Sequence, residues 1–176
     1  MDYSKYFPEI GQEIWHFKEL PRAMNFIKKL IDIFPKNANG RIVRAEFLSE
    51  AKGRFDREWY ALKGGLWMAI SIYDEFLTED SSLISLIFGL AMARCANHFG
   101  INQTKIKWIN DLHFNGKKVG GVLIEKFNNW YICGIGININ NPLPPNLPAT
   151  SFKEILGKEL SIAHVLEEII YWLRYY

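Results

Sequence analysis

Lys107-Trp108-Ile109-Asn110-Asp111-Leu112-His113-Phe114-Asn115-Gly116-Lys117-Lys118-Val119-Gly120-Gly121 is the stretch that decides the fold class. Asn115-Gly116 supplies two residues that tolerate positive φ, as the tight turn of a two-residue hairpin demands. Residues 112–114 and 119–127 flank that turn and read as strands, with residues 105–108 as a short strand before them. Asn128-Asn129 marks a second turn and residues 130–139 a further strand, so residues 112–139 predict an antiparallel meander.

Upstream, residues 83–99 are apolar on nearly every face, which predicts a buried central helix, and Gly100 suits its C′ position. Residues 78–82 are rich in N-cap types. Gly64-Gly65 leads into a buried strand at 66–73, and residues 41–48 form a strand of mixed polarity. Residues 14–17 read as a short strand after a loose lead-in at 1–13. Pro21 suits the first turn of a helix, and Phe26, Ile27, Leu30, Ile31 and Phe34 recur at helical spacing until Pro35 and the 37–40 cluster stop it. Downstream, residues 140–148 are irregular. Ser151 and Glu154 form a capping box for a short helix, and residues 161–176 a last amphipathic helix. This order predicts an α+β fold: a mixed, largely antiparallel sheet with helices packed on one face, not a doubly wound repeat.

A chain of 176 residues fits a single domain, and 49% apolar residues suffice for a core. A formal charge of +2 is too small to imply nucleic-acid or membrane binding as a main function. Cys95 and Cys133 can build neither a disulfide framework nor a four-thiolate zinc site, and read as reduced buried thiols. Residues 1–5 are polar with no apolar run behind them, and the longest apolar stretch, 83–93, falls short of the about 20 residues of a membrane span. A cytoplasmic protein is the expectation.

Three segments concentrate residues able to carry chemistry. In the opening stretch, Asp111 near a hairpin with two lysines suits a metal–phosphate ligand, although a solvated hairpin tip has the same composition. Lys117 and Lys118 are adjacent and point to opposite faces, so one aims inward while the other stays wet. Gly120-Gly121 inside a strand marks the close approach of a ligand or of another backbone. In the second segment, Gly134-Ile135-Gly136-Ile137-Asn138-Ile139-Asn140, one face is apolar and the other is bare backbone followed by amides. A flat ligand fits against those glycines, with Asn138 offering a donor and an acceptor to a base edge; glycines packed under a helix are the alternative. The third, Ala51-Lys52-Gly53-Arg54-Phe55-Asp56-Arg57-Glu58-Trp59, sets basic residues around a glycine with a tryptophan behind them. It suits an anion carrying a ring system, or is a plain solvated loop. His16, His98, His113 and His164 lack metal spacing, and only His113 falls near a candidate segment.

Taken in order, these segments resemble the catalytic domain of biotin protein ligases, in the biotin/lipoate ligase superfamily. KWINDLHFNGKKVGGVLIE is similar to that family's K-W-P-N-D hairpin motif, GIGININ to its G-x-G-(I/L)-N-x-N segment, and AKGRFDREW to its glycine/arginine-rich loop. KGGLWMAIS is similar to the strand that follows the loop, and the resemblance covers residues 14–176. It implies a two-step adenylation using ATP, Mg2+ and biotin, with a biotin carrier protein of a carboxylase as acceptor. It implies Lys118 and Arg54 as catalytic residues. Gly53, Arg57, Trp59, Asn110, Asp111, Gly121, Gly134, Gly136 and Asn138 are implied as the binding set, with Asp111 on the metal. It further implies one catalytic domain over 1–176 with neither an N-terminal DNA-binding domain nor a C-terminal small β-barrel, acting as a monomer or homodimer.

The chain departs from the family in places. Where the family has Ser-Thr-Asn, meeting biotin's ureido ring, this chain has Arg22-Ala23-Met24. Leu48 stands for a glutamine, Ile109 for a proline, and Asp56 adds a negative charge to the loop. A ligase for lipoate or another carboxylic acid fits these departures, as does a non-catalytic homologue that binds an adenylate or a carrier domain. The kept lysine, Lys118, argues against the non-catalytic form.

Overall fold

The computed structural model describes residues 10–35, 38–74 and 81–176. Among these, seven strands form one sheet: β1 (Ile14–Leu20), β2 (Ile42–Leu48), β3 (Leu66–Tyr73), β4 (Thr104–Lys107), β5 (Asp111–Phe114), β6 (Lys117–Phe127) and β7 (Trp130–Ile137). Their order across the sheet is β1-β2-β3-β7-β6-β5-β4. β1 and β2 run parallel, and every other neighbouring pair is antiparallel. The helices are α1 (Ala23–Ile33), α2 (Ser81–His98), α3 (Phe152–Leu156) and α4 (Ile162–Tyr175).

The expected class and meander are present. Asn115 and Gly116 have φ of 47° and 79°, the two positive values of a type I′ turn, and they join β5 to β6. Asn128, at φ 51°, opens the turn between β6 and β7. Gly100, at φ 89°, stands at C′ of α2; its N–H donates to Asn97 O and that of Ile101 to Ala96 O, a Schellman closure. Ser151 caps α3 by accepting from the Glu154 N–H, while the Glu154 carboxylate accepts from Thr150 Oγ1 instead of reaching back to the cap.

The helices do not share one face of the sheet. Ile42, Ile70 and Cys133 are cross-strand partners on the face that α2 and α4 cover, together with Phe88, Met92, Val165 and Ile169. Val43 and Ala69, one residue along, belong to the opposite face, where Met24, Ile27, Leu30 and Ile31 of α1 pack on them. The physical reason lies in β3, whose residues 66–71 are buried without alternation. A strand buried on both sides needs cover on both faces.

Smaller corrections concern element ends. Pro21 sits one residue before the N-cap of α1, which is Arg22, and the Pro21 carbonyl accepts from Glu50 N. β7 stops at Ile137 and not at residue 139, because the Asn138 N–H turns to Val119 O and that of Asn140 to Gly64 O. Both cysteines are buried and free, and burial pushes both thiols far above their usual range. No helix among the described residues is long and apolar enough to cross a membrane. Most of the lead-in and residues 78–80 of the expected cap lie outside the described residues.

Phe88 is 2% exposed in the α2 layer, whereas Phe55 is 82% exposed. Phe88→Ala is expected to cost about 3–5 kcal/mol through the cavity it leaves, and Phe55→Ala within about 0.5 kcal/mol. Urea unfolding midpoints measure both; equal midpoints would contradict the packing of α2 described here.

Candidate active site

The site grows from the period of two in β6 and β7. Gly121 pairs with Gly136 and with Asp111, and Gly136 pairs also with Trp67. Gly134 lies two residues before Gly136 and so on the same face, the one that carries α1. These three glycines leave a patch of sheet without side chains. A Cβ at Gly134 would lie 2.7 Å from Met24 Sδ, one at Gly136 2.8 Å from the Trp59 ring, and one at Gly121 2.9 Å from Asp111 Oδ1. Around this floor stand the 51–60 loop, the start of α1, residues 107–110 and residues 143–149, enclosing a cleft of about 580 Å³. That volume suits a small-molecule site.

Each residue of the catalytic and binding set that the resemblance implied lines this one cleft: Gly53, Arg54, Arg57, Trp59, Asn110, Asp111, Lys118, Gly121, Gly134, Gly136 and Asn138; Gly120 does not. His113 lines it too, with its Nδ1 at 3.3 Å from Gly116 O. The Asp56 side chain, expected to bring negative charge here, lies outside the described residues.

The loop closes on itself. Gly53 N–H donates to Arg57 O at 2.7 Å, Arg57 N–H to Arg54 O at 3.3 Å and Trp59 N–H to Ala51 O at 3.4 Å. Phe55, at the tip, has φ 56°. Arg54 Nη1 reaches Asn110 Oδ1 at 3.3 Å, and Asn110 Nδ2 donates to Val122 O at 2.9 Å. Asn110 therefore ties the loop to the hairpin.

Lys118 stands at the centre. Lys117 is exposed and does not line the cleft, as alternation required. Lys118 N–H donates to Pro148 O at 2.9 Å and its carbonyl accepts from Thr150 N at 2.8 Å, which fixes the backbone. Nζ lies 2.9 Å from Asp111 Oδ1 and 5.0 Å from the centre of the Trp59 ring. The approach to Asp111 is an ion contact that misses hydrogen-bond direction, so Oδ1 has no hydrogen-bond donor among the described residues. Trp59 rests on Gly136 and meets Trp67 edge-on at 6.1 Å.

Asn138 is 4% exposed. Its Nδ2 donates to Thr150 O at 3.2 Å and its Oδ1 accepts from Asn141 Nδ2 at 3.2 Å. One N–H and the remaining lone-pair capacity are what it has left for a ligand. Asn141, which also takes the Ile139 N–H, was not among the residues read from the sequence. The run of asparagines after β7 was the signal for it.

Basic side chains outnumber acidic ones around the cleft: Arg22, Lys52, Arg54, Arg57, Lys107 and Lys118 against Glu58 and Asp111. A near-neutral chain thus gathers positive charge where anions would enter. At the other end the wall is Arg22, Ala23, Met24, Leu48 and Leu123. Here the sequence reading missed a network: Arg22 Nη2 donates to Glu125 Oε1 at 2.5 Å, and Lys28 Nζ to Glu125 Oε2 at 2.6 Å. Burial works to raise the Glu125 pKa, but the hydrogen bonds and charges of Lys28 and Arg22 outweigh it and hold the carboxyl below its usual value.

A mixed sheet thus carries a glycine-floored, cationic cleft beside its first helix. The family model "Biotin/lipoate A/B protein ligase family" matches residues 31–140, and the chain belongs to that family. The Bacillus subtilis (strain 168) bifunctional ligase/repressor BirA is 31% identical over 142 residues, 74% of this chain and 44% of that protein. The chain thus spans less than half the length of the curated relatives it matches. Among solved structures, the biotin protein ligase from Aquifex aeolicus in complex with biotin and ATP superposes with a TM-score of 0.84 at 27% identity, over 92% of this chain and 68% of that one. The Leishmania major biotin protein ligase in complex with biotinyl-5-AMP gives 0.81 at 25% identity, over 93% and 74%.

Two outcomes follow. Gly136→Val is expected to displace the Trp59 indole and so change tryptophan emission; unchanged emission would contradict the contact. For Glu125, whose folded pKa is lowered, the stabilisation is present above its ordinary value of 4.5 and is lost as pH falls through the folded value. The melting-temperature difference between wild type and Glu125→Gln is therefore expected to hold at neutral pH and to close below about pH 4.5.

Proposed function

We propose that this chain is the catalytic domain of an ATP-dependent biotin protein ligase. The observation that carries the reading is Lys118, a cation placed beside Asp111 and Trp59 over a floor of bare glycine backbone. In the proposed reaction a carboxylate oxygen of biotin attacks the α-phosphorus of ATP, and pyrophosphate leaves. The amine of a lysine on a biotin carrier protein then attacks the acyl carbon of biotinyl-AMP, and AMP leaves. Two anions must be brought together, so positioning and offsetting of their charge is most of the catalysis.

Lys118 bridges carboxylate and α-phosphate, and Arg54 approaches the same oxygens from the loop. Gly53 and Arg57 shape the loop over the phosphates. Trp59 packs beside the adenine, and Asn138 meets its edge with the donor and acceptor capacity it has left. Gly121, Gly134 and Gly136 let both ligands lie against the sheet. Asp111 is the residue to hold Mg2+, with Asn110 beside it. The solved relatives carrying biotin with ATP, and biotinyl-5-AMP, support this assignment. Action in the cytoplasm, as a monomer or homodimer, belongs to the same reading. A ligase for lipoate or another acid is the second reading, favoured by the lack of a hydroxyl or amide side chain at the Ala23, Met24, Leu48 and Leu123 end.

ATP–pyrophosphate exchange with Mg2+ tests the proposal, with biotin, lipoate or no acid. Biotin-dependent exchange is expected, reduced about 10²–10³-fold by Lys118→Ala with the circular dichroism unchanged. Exchange with lipoate alone would move the chain to the second reading. No exchange with either acid, from folded protein, would overturn the biotin and the lipoate assignments alike.

A further inference from the structure

We infer that Arg22 is a specificity-determining residue that donates to an oxygen acceptor at the far end of the bound acid. The inference rests on the biotin ligase reading, in which the acid's carboxylate lies near Lys118 and its other end toward α1.

That end of the cleft is apolar apart from one group. Ala23, Met24, Leu48 and Leu123 line it, and Met24 Sδ sits over Gly134. Arg22 lines it as well, with its side chain 18% exposed. Of the three guanidinium nitrogens, only Nη2 carries hydrogen bonds among the described residues, to Glu125 Oε1 and weakly to Met24 Sδ at 3.9 Å. Nε is buried without an acceptor among them. Glu125 and Lys28 do not line the cleft; Lys28 holds one oxygen of Glu125 and the other oxygen holds the guanidinium, which fixes its place in the wall. An arginine held this way, with donors unspent beside an otherwise apolar pocket, is a pre-set donor for a ligand oxygen. The guanidinium cannot give up its proton, so it offers donors only and selects for an acceptor. Biotin carries such an acceptor, its urea carbonyl. Lipoate, ending in a dithiolane, does not. Arg22 thus supplies polar recognition at a wall that has no hydroxyl or amide side chain.

Calorimetric binding of biotin, lipoate and ATP to wild type, Arg22→Lys and Arg22→Met tests this. Arg22→Lys keeps a cation for Glu125 but loses the planar set of donors. The expected result is a biotin Kd raised about 10–100-fold in both variants, with lipoate and ATP within about 2-fold of wild type. Wild-type biotin affinity in Arg22→Lys would reduce Arg22 to a structural charge and overturn the inference. An equal loss for lipoate and biotin would overturn it too, by showing a general collapse of that end. Failure of wild type to bind biotin would remove both this inference and the biotin reading, whereas wild-type binding with indifferent variants removes this one alone.

Discussion

The strict alternation in β7 is the constraint on which the rest depends. Cys133, Ile135 and Ile137 bury into the α2–α4 core, and the residues between them must be glycine for the α1 face to stay open. A slip of one residue would move isoleucines into the cleft and glycines into the core, so hydrophobic burial fixes the register of the binding floor. Stability and site are therefore set by the same residues. Gly121, brought opposite Gly136 by β6, extends the bare patch and places Asp111 beside it.

Charge is then organised around that floor. The I′ turn at Asn115-Gly116 returns the chain so that Lys118 faces inward while Lys117 stays wet. Backbone bonds to Pro148 and Thr150 hold Lys118 in place. Arg54 is brought in by a loop that docks through Asn110. The cationic residues come from separate stretches of a chain whose formal charge is only +2, so the concentration of charge is a property of the fold.

Much of this was legible in the sequence for a physical reason: glycine, asparagine and lysine at strand ends have few structural uses together. The hairpin turn and the capped helix ends follow from local chemistry at Asn115, Gly116, Gly100 and Ser151, whereas the cleft-lining set came from the family resemblance. What escaped depends on contacts distant in sequence. Arg22 meets Glu125 across 103 positions, and nothing local marks that pair. The split of helices over two faces was encoded in the unbroken apolar run of β3, which required cover on both sides. That half of the Asn138 amide is already engaged was hidden because its partners, Thr150 and Asn141, come from the irregular segment after β7.

The central claim is that the cleft joins a carboxylate to the α-phosphorus of ATP. Biotin labelled with ¹⁸O in its carboxylate, incubated with the protein, ATP, Mg2+ and hydroxylamine as acceptor, tests it most directly by mass spectrometry of the AMP formed. Attack by the carboxylate predicts AMP carrying one labelled oxygen, because cleavage of the acyl–oxygen bond leaves that oxygen on phosphorus. AMP without label, with both labelled oxygens still on the acid, would contradict the account.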